Sequence, residues 1–390
     1  MIRILLPFLF IAPPLVYGFA SLLCARKFFH ASSVGGDFHP PVTIIKPVKG
    51  EDAESFENFA SFCRQDYPVY QIVFAIASSG DPAVPVIRRL MENFPETDLE
   101  LVLDDRIYGP NYKVSNLINA YPKAKHDVIV ICDSDIRVGP RFLHEVAMHF
   151  TDGKVGLVTS LYRSSGVRNI ATALESMGFT ADMIPNVLVA LRLEGLTFAL
   201  GASMAVRRSA LEKIGGFRAL ADYLADDYQL GNMIHRAGFK LALSAYFVES
   251  VMQRESLRSV LSRQLRWART MRASRAGGYF ASVITQPAPA MLLALVSSGF
   301  SMAGWIAVLT LGAARMFCAT VFSRIFVRDG IFPRYLWLLP VRDLLASAVW
   351  LLSFLGNRVV WRSRVYRVLP GGKIRDIGEP FRGPGLSRNL

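Results

Sequence analysis

No residue is charged from Ile4 to Ala25, and Arg26 and Lys27 follow at once. Roughly 20 apolar residues cross a hydrocarbon core, so the pattern predicts an N-terminal transmembrane helix within residues 1–30. A cleaved signal would have a shorter apolar core and a small-residue cleavage site, and neither is clear. The basic pair predicts that the following domain faces the cytoplasm.

The pattern then changes. The runs Val42–Val48, Tyr70–Ala77, Leu99–Leu103, Asp127–Cys132 and Val155–Leu161 read as short buried strands. Asp52–Arg64 and Pro82–Phe94 carry helical periodicity between them. Strands alternating with helices predict an α/β domain with a mostly parallel sheet over residues 42–253. Gly35, Gly36, Pro40 and Pro41 make a plausible linker before it.

A basic helical region with an RxxRW element is expected over 254–285. Apolar character returns near Pro287, where Ala288–Phe322 holds a single charge, Arg315. A further apolar zone, Tyr335–Leu355, is broken by Pro340, Arg342 and Asp343. Transmembrane or re-entrant helices are therefore expected over 286–356, with the number of spans open. An arginine-rich tail, 357–390, favours the cytoplasmic side.

Composition sharpens this. The 390 residues are 52% hydrophobic and 19% charged, yet the net charge is +13. Mean hydropathy is +0.31. An apolar but basic chain suits a multi-pass membrane protein that meets anionic lipid or an anionic substrate. No basic, aromatic-interleaved module is present, so no nucleic acid partner is expected. Cys24, Cys63, Cys132 and Cys318 are scattered without a CxxC pair, which argues against a zinc site or a disulfide framework.

The candidate chemistry is acidic. Val128–Val138 reads VIVICDSDIRV, a buried strand ending in two aspartates. In open α/β sheets ligands bind beyond the carboxyl ends of strands. In an extended chain Asp133 and Asp135 point the same way, and paired carboxylates suit Mg2+ or Mn2+ shared with substrate phosphates. Aspartate is also common in ordinary turns. Asp81 follows another strand, either as a nucleotide-binding carboxylate or as a helix cap before Pro82. Asp226 and Asp227 open a helix, where acids suit the dipole. A carboxylate there can also take the proton of an attacking hydroxyl; Asp227 is favoured, although position alone does not choose.

Arg263, Arg266 and Trp267 supply phosphate-binding cations and a ring. Basic residues recur at 263, 266, 269, 272 and 275, too widely spread around a helix to face one site. Arg263 and Arg266 are expected to point at the nucleotide and the later ones to meet lipid headgroups. Ala181–Leu200 reads equally well as a lipid entrance or as core.

These motifs, in order, resemble the ceramide glucosyltransferase family. They are Asp81-Pro-Ala, Asn111–Leu117 (NYKVSNL), Asp133–Val138 (DSDIRV), Ala225–Tyr228 (ADDY) and Arg263–Trp267 (RQLRW). The resemblance covers nearly the whole chain, and the wording is closest to bacterial members, including the glycosyltransferases of hopanoid biosynthesis. It implies a GT-A, Rossmann-like domain at a membrane, the inner membrane in a bacterium. It further implies inverting transfer of glucose or N-acetylglucosamine from a UDP-sugar to a hopanoid polyol or ceramide, with a divalent metal. By the resemblance, Asp81, Lys113, Asp133, Asp135, Arg263, Arg266 and Trp267 bind the nucleotide-sugar. Asp133 and Asp135 hold the metal, and Asp227 is the base.

Rival readings fit less well. Processive polysaccharide synthases carry Gln where this chain has Arg263, and usually more spans. Aspartate-nucleophile phosphatases want a small residue or Thr soon after the first Asp. A non-catalytic scaffold would not need polar clusters at strand ends.

Overall fold

The computed structural model describes residues 2–31, 38–52, 54–362 and 364–378. Gly35 and Gly36 of the expected linker, and the end of the tail from 379, lie outside the described residues.

The catalytic-size domain is built on one sheet. Its strands are β1 (Val42–Pro47), β2 (Tyr70–Ile76), β3 (Asp98–Leu103), β4 (Val128–Cys132), β5 (Ile136–Arg137), β6 (Val155–Ser165), β7 (Ser203–Arg207) and β8 (Lys240–Val251). The spatial order is β3-β2-β1-β4-β7-β6-β8-β5. β3, β2, β1 and β4 run parallel; β7 is antiparallel to both its neighbours, and β6 and β8 are again parallel.

The unbroken apolar runs have a simple cause. Val128, Val130 and Cys132 enter one hydrophobic core, while Ile129 and Ile131 enter another on the opposite face. β1 and β2 divide their side chains in the same way. A strand covered on both faces has no solvent side to be polar. Helix Ser55–Cys63 and helix Ala83–Asn93 help to close the first core, and helix Tyr112–Ala120 the second.

Topology then fixes the site. The parallel strands β1, β2 and β4 end on one edge. β7 runs the other way, so its beginning arrives there. The Asp133 N–H donates to the Ala202 carbonyl at 3.4 Å, which joins the two ends.

Helix Ile2–Ala31 packs against helices Pro287–Ser297 and Met302–Val321. Three helical stretches, Ile4–Ala31, Met302–Val327 and Phe332–Ser353, are long and apolar enough to cross a membrane. A fourth apolar stretch, the helix pair Ala276–Thr285 and Pro287–Ser297, is bent by 56°. Leu9, Val16 and Leu23 on the first helix are each about two-thirds exposed, as expected of side chains that meet lipid.

The tail holds a structure that its arginines concealed. β9 (Arg358–Trp361), β10 (Arg364–Val368) and β11 (Ile374–Asp376) form an antiparallel sheet in the order β11-β10-β9. Val359, Tyr366, Val368 and Ile374 are buried together with Leu224. The intervening arginines point outward. This sheet returns to the main domain. The Ile374 N–H donates to the Asp222 carbonyl at 2.7 Å, and Gln229 donates to the Gly371 carbonyl at 3.1 Å.

Candidate active site

Three chain segments, after β2, after β4 and at the start of helix Asp226–Arg236, bring acids to the carboxyl edge of the sheet. After β4 the chain turns at once, because the Ile136 N–H closes on the Asp133 carbonyl at 3.3 Å. Asp133 and Asp135 are thus not neighbours along an extended strand, as their spacing suggested. They meet across a turn that is pinned when β5 pairs with β8. The Ser250 hydroxyl, on β8, donates to Asp135 at 2.9 Å. Burial, and then the charge of Asp133, push the Asp135 carboxyl up to about 6.

Two carboxylates held close with excess negative charge fit a hard divalent cation completed by substrate phosphates. Among the described residues no cluster of three His, Cys, Asp or Glu side chains stands ready as a full cage. The donor set therefore suits a metal shared with a ligand rather than a self-sufficient metal centre.

Lys113 sits between the acidic groups. Its ammonium lies 2.6 Å from Asp133 Oδ1 and 3.5 Å from Asp226 Oδ2. Helix Tyr112–Ala120 delivers it, capped by Asn111, whose side chain accepts from the Val114 N–H. Asn111 also donates to Asp226 at 3.3 Å. Asp226 is thus buried and occupied on both oxygens.

Asp227 differs. Among the described residues its one hydrogen bond comes from the Tyr228 N–H at 2.7 Å. Burial, then the neighbouring charge of Asp226, raise its proton affinity to about 6, while Lys113 opposes the rise. Gly201, just before β7, leaves room for this carboxylate. Tyr162 feels the charges of Asp227, Glu175, Asp133 and Asp135 and packs edge-on against Phe179 at 4.8 Å.

The two arginines of helix Leu257–Ser274 part company. Arg263 is locked: it donates to Glu175 at 2.7 and 2.5 Å, and to Glu255 at 2.9 Å. Two carboxylates hold the guanidinium that the sequence reading expected to point at the nucleotide. Arg266 has no ion-pair partner among the described residues. Burial, and then repulsion from Arg263, lower its proton affinity to about 10, while Asp227 attracts it. Trp267 is partly exposed and lies 6.2 Å from the Phe179 ring. The later arginines do not all face lipid headgroups. Arg269 and Arg272 donate to the carbonyls of Arg358 and Gly356, and Arg275 pairs with Glu194. Backbone acceptors at Gly356 and at the first residue of β9, and the carboxylate of Glu194, account for the difference.

Asp81 has its oxygens on backbone. It accepts from Gly50 at 3.0 and 2.9 Å and from Ala83 at 2.9 Å. It caps helix Ala83–Asn93 and also ties the loop after β1 to the loop after β2.

Two groups escaped the sequence reading. Lys46 is fully buried on β1, donates to the Asp133 carbonyl at 2.9 Å and lies over the Phe62 ring at 3.8 Å. Burial lowers it to about 8. Its signal was available, as the lone charge in VTIIKPV. Arg362, between β9 and β10, donates to the Lys49 carbonyl at 3.0 Å, so the tail sheet adds positive charge beside the Asp81 loop.

This sheet order, with acids after β4 and at the start of helix Asp226–Arg236, defines a glycosyltransferase of GT-A architecture. A profile of Glycosyl transferase family 21 matches residues 6–374, and the chain belongs to that family. Ceramide glucosyltransferase 3 of Caenorhabditis elegans is 26% identical over 343 residues, which cover 86% of this chain and 74% of the relative. Ceramide glucosyltransferase 1 of the same organism is 25% identical over 352 residues, covering 86% and 73%. Among solved structures, the mannosyltransferase of Pyrobaculum calidifontis, in complex with GDP-Man and Mn2+, is 18% identical. Its TM-score is 0.49, over 88% of this chain and 99% of that chain.

Proposed function

We propose that this glycosyltransferase moves a hexose from a UDP-sugar to a hydroxyl of a membrane lipid, in one inverting displacement that yields a β-glycoside. One observation carries the reading. Asp227 is a half-buried carboxylate with a raised proton affinity and, among the described residues, a single hydrogen bond from backbone, set among Lys113, Arg266 and the acidic pair after β4. A general base serves best when its proton affinity lies near the working pH.

Asp227 accepts the acceptor hydroxyl's proton while the oxygen attacks the anomeric carbon and the bond to the UDP oxygen breaks. Negative charge then grows on UDP. Arg266, a cation without an ion-pair partner, offsets that charge. Lys113 holds Asp133 and Asp226 in place, and Asp226 is already committed to this task. Asp133 and Asp135 would hold a divalent cation, which supplies further counter-charge to the diphosphate when bound. Asp81 and the loop it ties would meet the nucleoside, with Arg362 and Lys49 alongside. Arg263 serves as a positioning residue that fixes the helix bearing Arg266 and Trp267.

The membrane helices support a lipid acceptor, with the sheet domain on the cytoplasmic side. The relatives compared above are ceramide glucosyltransferases, and the sequence motifs by themselves resemble bacterial hopanoid enzymes. Ceramide or a hopanoid polyol is therefore the acceptor class, and glucose or N-acetylglucosamine the sugar. The test pairs UDP-glucose or UDP-N-acetylglucosamine with each lipid, with Mn2+ or Mg2+ present, and reads the lipid fraction by mass spectrometry. One glycosylated lipid names donor and acceptor. No product in any pairing, together with no UDP binding, would overturn the reading.

A further inference from the structure

The membrane helices enclose polar groups that the transfer chemistry does not use. A cavity of about 210 Å³ lies between helix Ile2–Ala31, the π-helical turn Phe179–Met183, helix Met302–Val321 and helix Leu339–Ser353. Arg315 lines it and donates to Asp182 at 2.6 Å, to Asp343 at 2.8 Å and to the Ala181 carbonyl at 2.9 Å. Arg342 stands 2.9 Å from the other oxygen of Asp182. Two arginines face two aspartates, so the charged lining is neutral overall.

The cluster is not saturated. Nε and Nη1 of Arg342 are buried with no hydrogen-bond partner. Asn186 and Gln286 also line the cavity, and each spends its amide oxygen on a neighbour. Tyr17 donates to Asn186, and Ser347 donates to Gln286 at 2.8 Å. Their amide N–H groups have no partner among the described residues. Charged and polar side chains at membrane depth are costly, and ones that merely brace helices would pair fully. This lining instead offers idle donors around a neutral charge balance. It suits an uncharged ligand rich in hydroxyl or carbonyl oxygens, and it gives a phosphate headgroup no surplus of positive charge.

The cavity wall also leads to the transfer site. Glu175, which holds Arg263, and Asp182 lie on one continuous helical run, about 10 Å apart along its axis. Phe179, between them, touches both Tyr162 and Trp267.

We propose that this cavity is a holding site for the uncharged hydroxyl-bearing part of the lipid acceptor, before its hydroxyl passes along this wall to Asp227; the proposal rests on the lipid-acceptor reading above. The test uses the full chain in nanodiscs with a ceramide acceptor and UDP-sugar at saturation. Arg342→Leu and Gln286→Leu are each expected to raise the acceptor KM about tenfold or more, with UDP-sugar affinity unchanged. A photoreactive ceramide is expected to label peptides containing Tyr17 or Asn186, and Gln286→Leu to reduce that labelling. The labelling of the unmodified chain keeps the proposal testable should Arg342→Leu fail to fold. Lipid transfer with an unchanged acceptor KM in Gln286→Leu, or labelling confined to other segments, would overturn the cavity assignment alone. Wild-type transfer to a water-soluble alcohol and to no lipid would overturn the lipid-acceptor reading itself.

Discussion

Gly201 stands directly against Asp227: a Cβ on this glycine would lie 2.7 Å from Asp227 Oδ2. The absent side chain is what lets the start of β7 close over the carboxylate. Gly201→Ala is expected to displace the base and lower kcat by roughly 100-fold, with UDP-sugar affinity nearly kept. Steady-state kinetics and UDP titration check this. An alanine variant with wild-type kcat would remove Asp227 from the proposed role.

The same carboxylate predicts a pH profile. Asp227 takes a proton only when ionised, so kcat is expected to fall about tenfold per unit below about pH 6. Stability runs the other way. The folded carboxyl keeps its proton to higher pH than an unfolded one, near 3.9. Its contribution is therefore complete below about pH 4 and is lost as pH rises through about 6. Asp227→Asn should lose transfer, bind UDP, and be no less stable than the wild type at pH 7. A flat kcat profile from pH 5 to 8 would count against the assignment.

Arg263 and Arg266 should fail differently. Removing Arg263 strands Glu175, whose side chain is only 4% exposed. Loss of one partner of a buried pair costs about 3–5 kcal/mol, so Arg263→Ala is expected to lower Tm sharply, and Glu175→Gln to recover part of it. Arg266→Ala has no ion pair to break. It should keep Tm within a few degrees and lose roughly 100-fold or more in kcat. Thermal melts beside kinetics separate the two, and equal behaviour would refute the division of labour.

The acids after β4 predict a metal requirement of unequal weight. EDTA is expected to abolish transfer, and Mn2+ or Mg2+ to restore it. Asp133→Ala, which also releases Lys113, should cost on the order of 1000-fold in kcat/KM. Asp135→Ala should act mainly by raising the metal concentration needed. Full activity in EDTA would leave Lys113 as the counter-charge instead.

What was readable from sequence follows from physics. β1, β2 and β4 were plain because strands buried on both faces are apolar throughout. β7 and β8 were not, because SMAVR is short and Lys240–Val251 mixes polar with apolar residues. The importance of the Asp133–Asp135 turn was legible, but its shape was not, since β5 forms only by pairing with a strand more than 100 residues later. Arg263 looked like a phosphate ligand because nothing local announces Glu175, 88 positions earlier. The tail sheet was hidden by its arginines, although Val359, Tyr366, Val368 and Ile374 formed its buried side.

That tail sheet has a consequence for biogenesis. Strand β11 follows the last membrane helix, yet it is hydrogen-bonded to the segment just before Asp226 and Asp227. During translation helix Ile2–Ala31 and then the sheet domain leave the ribosome, and the later apolar helices must all follow before Ile374 can return to Asp222. A chain stalled or misinserted part-way therefore carries aspartates without their clamp. Assembly itself acts as a timer, and this edge of the sheet is completed only after the last apolar helix has been made.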